Sequence, residues 1–302
     1  MTVPQRHITA GDVTPVIIET ESTYGTPSGT AVLYGDVAEG GNITFKDTAN
    51  PYISWRYGSR SFNPDNYVTQ QKDAAFSALL EVRDKSGWEQ IIEYATGAGG
   101  TSGDPLLSSR TEKFYVKTDT SKWQGRIYKG CKTNTLTISA DAPGGIVKFE
   151  EDVLASKADP SVITSALFAW NDTNPAVQWM NGVTLNSVDI YPQSFKLTIT
   201  NNLERERVAN IINNYTGALP EGRREMELEM DVWMVDLGEI NNNINNASVT
   251  GDLVITLGIT NQVTLTLSGL KYMADGTNTP IIQDKQMQTI KFRVTNIAVA
   301  TV

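Results

Sequence analysis

The chain has 302 residues, 40% hydrophobic and 20% charged, enough to bury the core of one large all-β domain or two ordinary ones. Its net charge of −9 argues against a nucleic-acid reader, which needs a basic patch to neutralise phosphates. A single cysteine, Cys131, excludes an intrachain disulfide, and no apolar run approaches the roughly 18 residues of a membrane span. The stretch Met1 to Ile18 has no apolar h-region, so no secretory signal is expected and the protein is read as made in the cytoplasm.

Residues 1–41 read as an arm and loop, punctuated by Pro4, Pro15, Pro27 and several glycines. Residues 42–47 (NITFKD) alternate like a strand, and 56–72 form a turn-rich loop. In 73–83 the residues Phe76, Ala78, Leu80 and Val82 fall on one face of a strand, with Ser77, Glu81 and Arg83 on the other. A helix is predicted at 86–96, with Ser86 as cap, Glu89 three residues on, and Trp88, Ile91, Ile92 and Ala95 on one face. Gly97 stops it, and 97–105 is a glycine-rich surface loop. Strands follow at 113–119, 133–140 and 145–154, the last two joined by a tight turn at 141–145. Residues 156–182 read as a connection, and strands resume at 183–190, 193–200, 223–235, 252–257, 262–268 and 287–298. A second helix is expected at 237–246.

The two halves resemble each other. Strand 42–47, a long loop and strand 73–83 precede a helix and Thr96-Gly97; strand 194–200, the loop 201–222 and strand 223–235 precede the second helix and Thr250-Gly251. These matches lie 152 and 154 positions apart, close to half the chain. IVKFE (146–150) and TIKFR (289–293) match at an offset of 143. The expected organisation is a tandem duplication, with domains at 1–160 and 161–302.

Three blocks carry a resemblance to the tail tube protein family of long-tailed viruses of bacteria and archaea. Tyr24-Gly25-Thr26 resembles that family's N-terminal region. YKGCKTNTLTIS (128–139) followed by PGGIVKFEEDV (143–153) resembles its central hairpin. SFKLTITNNLE (194–204) followed by GRREMELEM (222–230) resembles its second-half signature. The resemblance spans most of 16–298. It implies an all-β fold in which each domain is two packed antiparallel sheets with a flanking helix. Rings of the chain would stack into a tube, with four strands per domain lining a barrel. A minimal tube domain is about half this length, so two per chain imply three chains per ring with pseudo-sixfold symmetry.

No constellation for catalysis emerges. His7 is the only histidine and Cys131 has no histidine near it in sequence, which argues against a triad or a histidine metal site. The glycine-rich loop at 97–103 follows a helix, whereas a phosphate cradle precedes one. Glu225, Glu227, Glu229 and Asp231 fall on one strand face opposite Met226, Leu228, Met230 and Val232. They read most simply as the wet side of a half-buried strand.

The resemblance makes that wet side a lumen. The lumen-lining candidates are Glu81, Arg83, Lys148, Glu150, Asp152, Lys196, Glu225, Glu227, Glu229, Asp231, Lys291 and Arg293, a mildly acidic set across which DNA would slide. Ring-stacking candidates are Arg56, Tyr57, Arg60, Phe62, Asp65 and Tyr67 in one loop and Arg205, Glu206 and Arg207 in the other. The expected role is a self-assembling virion protein of the tail and not an enzyme. It would use no cofactor or metal and insert in no membrane. Its partners would be itself, other tail proteins at the tube ends, and DNA in transit. The alternative is another viral β-rich assembly protein, at the distal tail or decorating the capsid. A carbohydrate-active enzyme using Glu225 and Glu227 is a remote third reading.

Overall fold

In the computed structural model the described residues are 16–27, 32–38, 42–53, 67–82, 85–97, 106–119, 122–163, 178–179, 183–185, 187–206, 216–233, 247–258, 263–273 and 287–301. They are β-rich, with two sheets and one helix, α1 (Lys85–Thr96). One antiparallel wall runs in the order β4 (Ile43–Phe45), β6 (Tyr67–Glu81), β9 (Lys148–Ala155), β8 (Lys122–Ala140), β13 (Pro192–Thr200), β14 (Glu225–Trp233), β18 (Met287–Arg293) and β17 (Lys271–Tyr272). Strict alternation along these strands sends every second side chain inward. Leu80, Phe149, Ile138, Leu197, Leu228, Phe292 and Tyr272 stand opposite one another in a single row across seven of these strands. All are buried. Each of the larger ones contributes roughly 1.5–3 kcal/mol relative to exposure, so this row fixes the register.

A second layer covers the inner face. Over the first half it is β10 (Lys157–Ile163), the start of β8, β7 (Arg110–Asp119), β1 (Val16–Thr23) and β3 (Val32–Val37). Over the second half it is β19 (Asn296–Thr301), β16 (Val263–Ser268), β15 (Leu253–Leu257), β11 (Val183–Leu185) and β12 (Val188–Ile190). Two short strands sit outside this plan: β2 (Thr26–Pro27) turns back on β1, and β5 (Thr48–Ile53) forms a hairpin with the start of β6.

The chain passes from one layer to the other at a glycine in each half. Gly130 (φ +63°) bends β8, and Gly269 (φ +65°) separates β16 from β17. The environments match. Ser156 N donates to Lys129 O at 2.9 Å beside Gly130, and Thr295 N donates to Ser268 O at 3.2 Å beside Gly269. A Cβ on Gly130 would meet the Ser156 Cβ at 2.8 Å, and one on Gly269 the Thr295 Cβ at 2.7 Å. Both positions therefore need glycine for conformation and for space.

The structure corrects several expected elements. Residues 16–23 and 32–37 are strands, not arm and loop: Val16, Ile17 and Ile18 are almost fully buried, and β1 completes the ladder beside β7. Tyr67 starts β6 and does not lie in a loop. The expected connection at 156–182 begins with β10, paired to β8 over seven residues. Residues 183–190 are two strands with a turn at Ser187 (φ +64°), and 287–298 divides into β18 and β19 at Val294-Thr295. The helix begins one residue before the expected cap, Ser86, and Gly97 (φ +81°) ends it with its N–H on Glu93 O at 2.7 Å. His7, the expected helix at 237–246 and most of the loop at 97–105 lie outside the described residues.

Gly130→Ala is expected to cost about 1–3 kcal/mol, because an L side chain at positive φ is strained and here also collides. Urea denaturation of the variant against the parent protein measures it.

Candidate functional site

The outer face of the wall is polar, and its side chains also fall in rows. One row is Lys148, Ser139, Lys196, Glu229 and Lys291, each opposite the next. Another is Glu150, Thr137, Thr198, Glu227, Arg293 and Lys271. A third is Thr44, Ser77, Asp152, Thr135, Thr200 and Glu225. Lys291 Nζ lies 3.5 Å from Glu229, and Asp231 accepts hydrogen bonds from Thr289 Oγ1 at 2.6 Å and Ser194 Oγ at 2.7 Å. The partly solvated Lys291–Glu229 pair contributes about 0–1 kcal/mol. The face is thus shaped by the apolar row behind it and not by its own ion pairs.

Eleven of the twelve lumen candidates are described, and alternation puts all eleven on this face. Glu150, Lys196, Glu225, Glu227 and Arg293 are exposed, whereas Lys148, Asp152, Glu229, Asp231 and Lys291 are half-buried. Glu81 is only 7% exposed and so presents little to an open surface. Arg83 lies outside the described residues. The sequence reading did not assign the hydroxyl stripe at the centre of the face: Thr135, Thr137, Ser139, Thr198 and Thr200. The alternations TLTIS and KLTIT were the signal for it.

The stacking candidates divide differently. Arg56, Tyr57, Arg60, Phe62, Asp65 and Arg207 lie outside the described residues, and Tyr67 is the first residue of β6. Glu206 is exposed and bridges to Ala218 in a hairpin. Arg205 is tied into its own chain: Nη2 donates to Ala74 O at 2.9 Å and Nη1 to Ala155 O at 3.3 Å.

Residues 14–295 match the family model for phage tail tube proteins. The chain belongs to the phage tail tube protein family. It is a structural protein of the virion tail that assembles into a tube with other tail proteins, and the family is not enzymatic. The glycosidase reading of Glu225 and Glu227 is thereby overturned. No curated protein matches the chain. No helix among the described residues is long and apolar enough to cross a membrane.

Among the described residues of this tail tube protein, an ionic cluster is buried behind the wall. Arg110 Nε donates to Glu112 Oε1 at 2.6 Å, Nη1 donates to Thr133 Oγ1 at 3.0 Å, and Nη2 pairs with Glu151. Thr133 Oγ1 donates to Glu151 Oε1 at 2.6 Å. The guanidinium lies 4.6 Å from the ring centre of Tyr94 on α1. Arg110, Glu112 and Glu151 are essentially inaccessible, so one cation faces two carboxyls without water. Burial, with the Glu151 charge adding to it, pushes the Glu112 carboxyl up to about 8 against the pull of Arg110. The buried Glu112 carboxyl therefore holds a proton more readily than an ordinary carboxyl does. Burial also pushes the adjacent Cys131 thiol well up, so it is an unreactive core residue.

The folded protein binds the Glu112 proton more tightly than the unfolded chain, whose carboxyl titrates near 4.5. Its contribution to stability is fully present below about 4.5 and is lost as pH rises through about 8. Glu112→Gln, which keeps a neutral group of the same shape, is expected to flatten that slope. Urea midpoints measured from pH 5 to 9 for both proteins check it.

Proposed function

We propose that the chain is a tandem of two tube domains and that three copies close into a ring whose lumen is the polar face, a conduit for DNA ejection. The observation that carries this reading is the wall. Its first four strands, β4-β6-β9-β8, and its last four, β13-β14-β18-β17, follow the same order and sit side by side. Phe45 opposite Phe76 corresponds to Leu197 opposite Leu228, both 152 positions on. Gly130 and Ser156 correspond to Gly269 and Thr295, both 139 positions on. β10 runs to Ile163, which supports drawing the division between the domains just after that strand.

The register supports closure into a barrel. Phe149 and Phe292 share a cross-strand row although they are 143 positions apart, four more than the offset of the bends. Each set of four strands is therefore sheared by four residues against the next. One residue of shear per strand corresponds to a tilt of about 35°, within the range of closed barrels. One end of the wall also asks for a partner. β4 pairs only with β6 among the described residues, whereas β17 is bridged on its outer side by Ser248 of its own chain. Phe45 is 42% exposed, whereas its counterpart Leu197, sandwiched between β8 and β14, is fully buried. A neighbouring copy laid against β4 would bury Phe45 in the same way and remove the open edge. The hairpin of β5 with β6 and the hairpin at 201–222 stand at one end of the wall, which fits a role in holding one ring on the next.

Native mass spectrometry of isolated rings is expected to show three chains; six would refute the tandem reading. Replacing Glu225, Glu227 and Glu229 with lysine is expected to leave the fold intact, since none lies in the core. Tubes of that variant should retain DNA in a salt-dependent way. DNA passage unaffected at low salt, or these side chains on the outside of the assembled tube, would overturn the lumen assignment.

A further inference from the structure

Arg205 and its hairpin fill a particular place in the first half. The hairpin follows β13 and crosses the ends of β8, β9 and β6. Lys132 Nζ donates to Leu219 O at 3.2 Å, Ser156 Oγ donates to Thr216 O at 2.7 Å, and Arg205 reaches the carbonyls of Ala155 and Ala74. The same offsets carry Ala74 to Met226, Ala155 to Val294 and Ser156 to Thr295. Those three residues line an open cavity of about 330 Å³ formed by residues 223–226 and 293–295. What is filled in the first half is empty in the second.

From this we infer that the cavity is a socket for the β5–β6 hairpin of the neighbouring copy, a contact that rests on the ring reading above. The hairpin at 201–222 has an equivalent of matching register. Glu204 N donates to Pro220 O and Glu206 N to Ala218 O, which sets Arg205 opposite Leu219. Ile53 stands opposite Tyr67, 152 positions earlier on both strands. That hairpin follows β4, as the other follows β13. Within one chain β4 and β18 are six strand spacings apart, roughly 29 Å along the wall. The chain's own hairpin therefore cannot reach the socket, while a copy whose β4 continues the wall past the bridge of Lys271 to Ser248 brings its hairpin to it.

The chemistry of the socket differs from that of the first half in a consistent direction. An isoleucine, Ile53, stands where the other hairpin has Arg205, and the socket supplies its own cations, Arg223, Arg224 and Arg293. Arg224 is partly held already, with Nε donating to Asn201 Oδ1 at 3.1 Å. The backbone carbonyls of a hairpin arm suit a socket that offers guanidinium donors.

The test is covalent capture in assembled protein. Ile53→Cys combined with Thr295→Cys, treated with a short bismaleimide, should give dimers and trimers on a denaturing gel, while either single variant gives none. Cys131 is fully buried and stays silent. In unmodified protein, amide exchange at 224–226 and 293–295 should slow more than about tenfold on assembly, together with that at 48–53. Tubes of ordinary appearance that show neither the cross-link nor the protection would overturn the socket and leave the ring reading standing. If the double variant does not assemble, the exchange measurement alone decides. Protein that forms no rings at all would remove the ring reading and the socket with it.

Discussion

Strand β8 spans 19 residues and serves two ladders in succession. Its first part pairs with β7 and β10 in the covering layer; its second part pairs with β9 and β13 in the wall. Every backbone donor and acceptor along a buried strand needs a partner, so a strand shared in this way obliges both layers and both halves to keep one register. The bend at Gly130 makes the change of layer possible. The pairing of β8 with β13 then turns two four-strand units into one continuous surface. The apolar row from Leu80 to Tyr272 and the polar rows behind it follow from that continuity.

Charge is handled in opposite ways on the two sides of the wall. On the outer face, lysines and arginines alternate with carboxylates and hydroxyls in the open, where each pair adds little and a mild acidic excess remains. On the inner face, the buried cluster around Arg110 is costly by nature, since its ions have left water. It links β7, β8, β9 and the ring of Tyr94 on α1 in one geometry, which an apolar core would not enforce. The raised proton affinity of Glu112 reduces the cost of burying two carboxyls beside one cation.

On the proposed ring reading, the ends of the wall are where one copy meets the next. At the internal junction, Leu197 is covered on both flanks and Arg205 closes the end of the first half. At the outer ends, Phe45 is partly bare and the counterpart of the Arg205 site is open. A protein that satisfied these edges internally would be a stable monomer with nothing to offer a second copy.

Alternation in 223–235 was enough to separate Met226, Leu228 and Met230 from Glu225, Glu227 and Glu229, because the side-chain period of a strand is a local property. The same holds for the helical face of Trp88, Ile91, Ile92 and Ala95. Residues 16–37 were misread because their turn-forming prolines and glycines hide two short strands, β1 and β3, that complete their ladders beside β7 and β6. The cluster of Arg110 with Glu112 and Glu151, the burial of Glu81 and the internal role of Arg205 were also invisible. Each depends on which distant segments meet, and a charged residue reads the same in sequence whether water or another strand lies over it. The sequence by itself determined the two faces of the strongly alternating strands such as β6 and β14; only the tertiary structure decided which faces share a surface, because strand pairing is a long-range choice made by the packing of the whole core.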